Sequence, residues 1–79
     1  MNFMKRLNEL FINEEGVIKK VVAPSNIKNR LIDIGFVKGT KIKKVLVSPG
    51  RDMVAYDIKG ALIAIRKDDT NDILVEVIS

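Results

Sequence analysis

The side chains that could do chemistry in this sequence are carboxylates, lysines, arginines and one tyrosine. The chain has 79 residues and contains no Cys and no His. It therefore lacks the commonest metal ligand, the thiolate nucleophile and the usual general base near neutral pH. It also has no Ser-His or Cys-His pair to activate a nucleophile and no glycine-rich phosphate loop. We expect a protein that is not an enzyme and that holds no cofactor.

The acidic segment at residues 68–72, Asp-Asp-Thr-Asn-Asp, is the strongest candidate for a metal site built from oxygen ligands. Its spacing fits a helix cap and first turn, and it lacks the glycine and the distal glutamate of an EF-hand loop. Transition-metal sites usually also recruit imidazole. We predict a solvated acidic loop here and no metal site in the chain.

Basic side chains are concentrated in the first half of the sequence. Residues 1–44 carry ten Lys or Arg and four Asp or Glu, a net charge of +6, whereas residues 45–79 carry a net charge of −2. A basic face of this kind suits an acidic protein, a phosphate backbone or anionic headgroups. Ordinary solubilising charge explains the pattern equally well, because a total of +4 is usual for a small domain.

Nucleic-acid binding by a small basic barrel is the alternative function. Residues 37–45 are similar to the basic glycine-turn-strand motif of ribosomal and elongation-factor barrels. Single-strand binders of this shape expose aromatic side chains for base stacking. Here Phe3, Phe11, Phe36 and Tyr56 all lie in apolar stretches of the sequence. We expect Phe36 and Tyr56 to lie in the core, and we do not expect a nucleic acid as partner.

The elements that position these residues are mainly strands. Runs of β-branched residues predict strands at residues 17–23, 40–47, 53–58, 61–66 and 73–78. Between the first two strands, Ser25 as N-cap, the spacing of Ile27, Leu31 and Ile34, and Gly35 as C-cap predict a helix. These elements predict one mainly β domain over residues 1–79, a small bent antiparallel barrel of about five strands with one inserted helix.

Smaller features complete this prediction. The apolar spacing of Phe3, Leu7 and Leu10 predicts a short N-terminal helical segment that packs as a lid. Alternation fails at residues 43–44, which predicts a β-bulge, and residues 59–60, Lys-Gly, predict a two-residue hairpin turn. Residues 62–65 are apolar on both faces, and we expect the helix or the N-terminal segment to cover the second face. If that face is exposed, it is an interface.

The ordered set of motifs resembles the FeoA family, ferrous iron transport protein A, over residues 7–78. The matching residues are Arg30, Leu31 and Gly35 on the helix, Gly39 after it, Asp52 in the hairpin loop, Tyr56, Gly60, Arg66, Ile73 and Val75. The resemblance implies an SH3-like barrel. It also implies a small cytoplasmic accessory or regulatory protein of bacterial Fe(II) uptake, which contacts the FeoB permease and its GTP-binding part.

We predict partner-binding residues on the helix and in the loops that follow, from charge and loop exposure: Arg30, Ile34, Phe36, Lys38 and Arg51. The expected partner is FeoB. If the second face of residues 62–65 is exposed, that face serves FeoB or self-association. Without Cys or His, no tight Fe(II) binding is expected. No membrane insertion is expected either, because the longest apolar run, residues 61–65, is far shorter than the ~20 residues of a membrane span.

Overall fold

One antiparallel sheet of six strands organises the domain. The computed structural model describes residues 3–78, and its elements in chain order are β1 (Met4–Arg6), a 3-10 turn (Leu7–Glu9), β2 (Glu15–Val21), α1 (Ser25–Ile34), β3 (Lys41–Val47), β4 (Met53–Ile58), β5 (Ala61–Arg66), α2 (Lys67–Thr70) and β6 (Ile73–Val77). The strand order in the sheet is β1-β6-β2-β3-β4-β5. The predicted mainly β class, with a helix inserted between two long strands, is confirmed.

The N-terminal segment differs from the prediction. Residues 4–6 form a strand that pairs with β6, Met4 opposite Glu76 and Arg6 opposite Leu74, and only residues 7–9 are helical. Pairing with β6 satisfies backbone groups that a short isolated helix would leave open. The segment nevertheless packs on the core as predicted, since Leu7 and Leu10 are 0% and 1% exposed. Residues 3–78 therefore contain six strands where about five were expected.

Helix α1 begins at the predicted cap residue, one residue earlier than expected. Ser25 is its first helical residue, Pro24 occupies the cap position, and no side chain caps the turn. Proline suits the start of a helix because its φ is already near the helical value. Gly35 ends the helix at a φ of 126°, as expected for a glycine C-cap. Leu31 is buried, but Ile34 is 39% exposed, so Ile34 is not part of the inward face.

The predicted bulge and hairpin are both confirmed. The pairing of β3 with β4 shifts register between Lys44 and Leu46, so Leu46 faces outward while Lys44 is buried. Strands β4 and β5 pair without a shift, and the residues between them, Lys59 and Gly60, have φ values of 54° and 85°. These left-handed conformations are those of a type I′ hairpin turn.

The core is built around two aromatic side chains. Phe36 and Tyr56 are both fully buried, and their rings meet edge to face at 6.5 Å and 87°. The Tyr56 hydroxyl donates to the Leu7 carbonyl at 3.4 Å, and burial raises the pKa of Tyr56 well above its ordinary value. The prediction that both side chains lie in the core is confirmed.

The expected cover over β5 is absent from the described residues. Leu62 is 61% exposed, whereas Ile65 on the same strand is 6% exposed. Strand β5 ends the sheet order, and the N-terminal segment, one of the two elements expected to cover it, pairs with β6 instead. The prediction of a covered second face is therefore wrong, and β5 presents an apolar edge to solvent.

Candidate partner-binding surface

The five predicted partner-binding residues do not form one cluster. Arg30 and Ile34 are exposed on α1, Lys38 is exposed in the loop that follows, and Arg51 is exposed in the β3–β4 loop. Phe36 is 0% exposed. A side chain without accessible surface cannot touch a partner, so Phe36 supports the surface from below and is not itself a contact.

A groove lies between β2 and α1, and Phe36 forms part of its lining. We call it the β2–α1 groove; it encloses about 360 Å³ and is lined by Lys19, Lys20, Val21, Lys28, Ile32, Phe36, Val37 and Lys38. Ile32 adds an apolar wall that is 37% exposed. The sequence analysis did not name Ile32 as a contact residue. Ile32 follows Lys28 by one helical turn, so both residues lie on the same helix face.

Four lysines make the β2–α1 groove electropositive. Lys19 is partly offset by Glu76, at 3.5 Å. Lys20, Lys28 and Lys38 have no carboxylate within 4.0 Å in residues 3–78. An apolar wall beside unpaired cations is suited to an acidic protein surface that carries an apolar side chain, because charge steers the encounter and apolar burial stabilises the contact.

Arg30 and Ile34 lie on a different face of the helix. They are two residues on from Lys28 and Ile32, and two residues correspond to a rotation of about 200° around an α-helix. Lys28 and Ile32 line the groove, whereas Arg30 and Ile34 are exposed on another side of the helix and do not line it. Of the predicted residues, the groove brings together Lys38 and, as lining, Phe36.

Lys38 also borders a second, more open groove of about 700 Å³. The lysines that share its lining are Lys41, Lys43 and Lys59, and the acidic side chains are Glu15 and Asp57. Lys41 pairs with Glu15 at 3.2 Å, so part of this charge is internally compensated. Since Lys38 contributes to both grooves, it is the best-placed of the predicted contacts. Arg51 lines a separate cavity together with Lys44 and Lys67.

The N-terminal segment carries exposed aromatic side chains, although Phe3 and Phe11 stand in apolar stretches of the sequence. Phe3 and Phe11 are 58% and 72% exposed, and Lys5 Nζ lies 4.4 Å from the centre of the Phe11 ring. Lys5 also donates to Glu14 at 3.0 Å. The Phe11 backbone N–H, at 2.9 Å, and Lys5 together lower the pKa of Glu14. These contacts fix the turn between the 3-10 helix and β2.

The acidic segment takes the helical form that its spacing indicated. Residues 67–70 form α2, with Asp68 and Asp69 in its first turn and Asp69 paired to Arg66 at 3.7 Å. Within residues 3–78, no three acidic side chains converge closely enough to hold a metal ion. In the same residues, no helix has the length and apolar character needed to cross a membrane.

Comparison with known proteins agrees with the resemblance noted in the sequence. The FeoA domain family matches residues 5–77. The chain is 36% identical over 74 residues to a Fe(2+) transport protein A/Fe(2+) transporter FeoB fusion protein of Porphyromonas gingivalis, a match that covers 94% of this chain and 9% of that protein. It thus spans a small part of that relative's length.

Two solved structures share the fold. The FeoA-like protein of Clostridium acetobutylicum has a TM-score of 0.88 and 32% identity, covering 100% of this chain and 92% of that one. The zinc complex of Stenotrophomonas maltophilia FeoA, described as an SH3 domain protein, has a TM-score of 0.74 and 26% identity, covering 87% and 86%. The expected SH3-like fold is confirmed, and with the domain match over nearly its whole length the chain belongs to the FeoA family.

Proposed function

We propose that this protein is a cytoplasmic accessory and regulatory protein of bacterial Fe(II) uptake, acting by direct contact with a FeoB permease and its GTP-binding part. The observation that carries this proposal is the Porphyromonas gingivalis relative, whose name joins transport protein A and the FeoB transporter in one chain. Covalent linkage raises the local concentration of one module near the other. Such a fusion is useful when the two modules work together.

We place the contact on the basic surface around Lys38. Three lysines of the β2–α1 groove, Lys20, Lys28 and Lys38, have no carboxylate within 4.0 Å in the described part of the chain. Cations without a counter-charge at the rim of a protein interface increase the rate of association with an acidic partner. Arg30, Ile34 and Arg51 remain proposed contacts on neighbouring parts of the surface, with Phe36 as support beneath Lys38.

No reaction and no cofactor are assigned to the chain in this proposal. Hard oxygen ligands are present, but the sequence offers neither imidazole nor thiolate. The protein would therefore act on the transporter and would not carry its cargo. Anaerobic titration calorimetry with Fe(II) tests this point, and sub-micromolar one-to-one binding would contradict it.

Fe(II) uptake in a strain that lacks this gene tests the proposed function. The wild-type gene should restore uptake, whereas Lys38→Glu should restore less, because it reverses a charge shared by both grooves. Arg6→Glu is the matched control, since it makes the same charge change at an exposed residue of β1. Equal uptake with and without the gene would exclude a role in iron transport. Equal restoration by both variants would move the contact away from Lys38.

A further inference from the structure

A small cavity outside the β2–α1 groove is lined by cations and contains no carboxylate in its lining. It encloses about 260 Å³ and is lined by Asn8, Lys44, Val47, Arg51, Val54 and Lys67. Pockets for drug-sized ligands are typically 300–1,000 Å³. The space therefore suits a small anion with a few waters.

Lys44 is the buried member of this group. The bulge in β3 directs it inward, where it is 9% exposed, and its Nζ donates to the Asn8 carbonyl at 3.1 Å. An ammonium group has three donors, and that bond is the one that Nζ makes within residues 3–78. No carboxylate of those residues lies within 4.0 Å of it. A buried charge without a counter-charge is unfavourable, and an anion would relieve this.

Two further cations lie at the mouth of the cavity. Lys67 is close enough to Lys44 that its charge, after burial itself, lowers the pKa of Lys44. Arg51 is held at a φ of 59°, a left-handed conformation that is unfavourable for a side chain other than Gly, Asn or Asp. Its backbone N–H donates to the Ser48 carbonyl at 2.9 Å, and the Lys67 N–H donates to the Asp52 carbonyl at 2.9 Å. These bonds tie the loop that carries Arg51 to the start of α2.

Asn8 holds one wall of the cavity in place. Its backbone carbonyl accepts from Lys44 Nζ, and its Nδ2 donates to Asn71 Oδ1 at 2.7 Å. The Asn8 side-chain oxygen is enclosed and has no hydrogen-bond partner in the described part of the chain. Because this oxygen has almost no accessible surface, it offers no acceptor to a group inside the cavity.

We propose that this cavity binds a phosphate group, with Lys44, Lys67 and Arg51 donating to its oxygens. Charge-assisted hydrogen bonds of this kind are the stronger class in proteins. The lining supplies three positive charges, which suit a tetrahedral dianion better than a singly charged carboxylate. Sulfate shares this chemistry and is therefore a comparison probe for the same site. The proposal is independent of any contact with FeoB.

Amide chemical shifts of the isolated protein test the proposal. Inorganic phosphate is titrated at constant ionic strength, with sulfate and chloride in parallel. Saturable shifts should centre on the residues that line the cavity with phosphate and with sulfate, and chloride should not produce them. Lys44→Met should weaken phosphate binding about tenfold, whereas Lys28→Met, a charge loss in the β2–α1 groove, should leave it unchanged. Equal shifts with all three anions, or no saturation with phosphate, would overturn the assignment.

A second variant separates binding from folding. Arg51→Gly removes a charge and also relieves the left-handed strain, so phosphate affinity should fall while the melting temperature does not. Adenosine monophosphate is the second probe, because it carries the same group on a larger body. Shifts at the cavity with inorganic phosphate or with the monophosphate support the site. No shift there with either probe, or shifts confined to the β2–α1 groove, would refute it.

Discussion

Phe36→Leu separates the core role of this residue from the contact role that the sequence suggested. The ring is fully buried and meets Tyr56 edge to face at 6.5 Å. An aromatic pair of this geometry contributes about 0.5–1.5 kcal/mol beyond area burial. The change of shape and volume adds up to about 1.5 kcal/mol. We expect a loss of about 1–3 kcal/mol in the free energy of unfolding.

That loss is large for a chain of 79 residues. At about 0.05–0.15 kcal/mol per residue, the whole domain is stable by about 4–12 kcal/mol. Phe36→Ala, at about 3–5 kcal/mol, would bring the domain close to unfolding, and for this reason leucine is the better probe. Each kcal/mol corresponds to a fall of about 4–8 °C in melting temperature for a domain of this size.

The assay combines thermal melting with binding to the proposed partner, the GTP-binding part of a FeoB permease. Binding is measured well below the melting temperature. Phe36→Leu should melt several degrees lower and bind the partner with unchanged affinity while folded. Lys38→Glu, at an exposed residue near Phe36, should weaken partner binding and change the free energy of unfolding by no more than about 0.5 kcal/mol. An unchanged melting temperature for Phe36→Leu, together with a loss of binding, would refute the core assignment.

Three further predictions follow from particular contacts. Glu14→Gln should destabilise the protein at pH 7. Because the pKa of Glu14 is lowered in the folded state, the Glu14 carboxylate contributes stability above its unfolded pKa, and this stability is lost as the pH falls through the folded pKa. The urea unfolding curves of the wild type and the variant should therefore converge in acid. Gly16→Ala should cost about 1–3 kcal/mol, since the added Cβ would lie 3.2 Å from the Glu76 carbonyl oxygen and from Val75 Cβ; equal denaturation midpoints would contradict this. Leu62 is exposed on the β5 edge, where a free strand favours pairing with a second copy; light scattering should show concentration-dependent association that Leu62→Lys removes, and a constant monomer mass in both would exclude it.

Local chemistry in the sequence predicted most of the secondary structure. Gly35 predicted the helix end because only a residue without Cβ readily adopts its φ of 126°. Lys59 and Gly60 predicted the hairpin, and the broken alternation at Lys43 and Lys44 predicted the bulge. In each case the signal lies within a few residues of the feature that it specifies.

Features that depend on distant pairing were not predictable in the same way. Residues 4–6 became a strand because β6, about seventy residues later, offers them an edge. The exposure of Leu62 depends on where the N-terminal segment packs, which its own sequence does not specify. The cavity around Lys44 likewise arises from the way in which the sheet bends around the core.

The most direct test of the account is binding of this protein to the soluble GTP-binding part of its FeoB, followed by amide shifts of the isotope-labelled protein. The account predicts binding in at least one nucleotide state, with shifts centred on Lys38 and the β2–α1 groove. Lys38→Glu should weaken this binding, and Arg6→Glu should not. No binding in the nucleotide-free, GDP or GTP state would contradict the central claim that this FeoA-family protein acts by contacting the transporter.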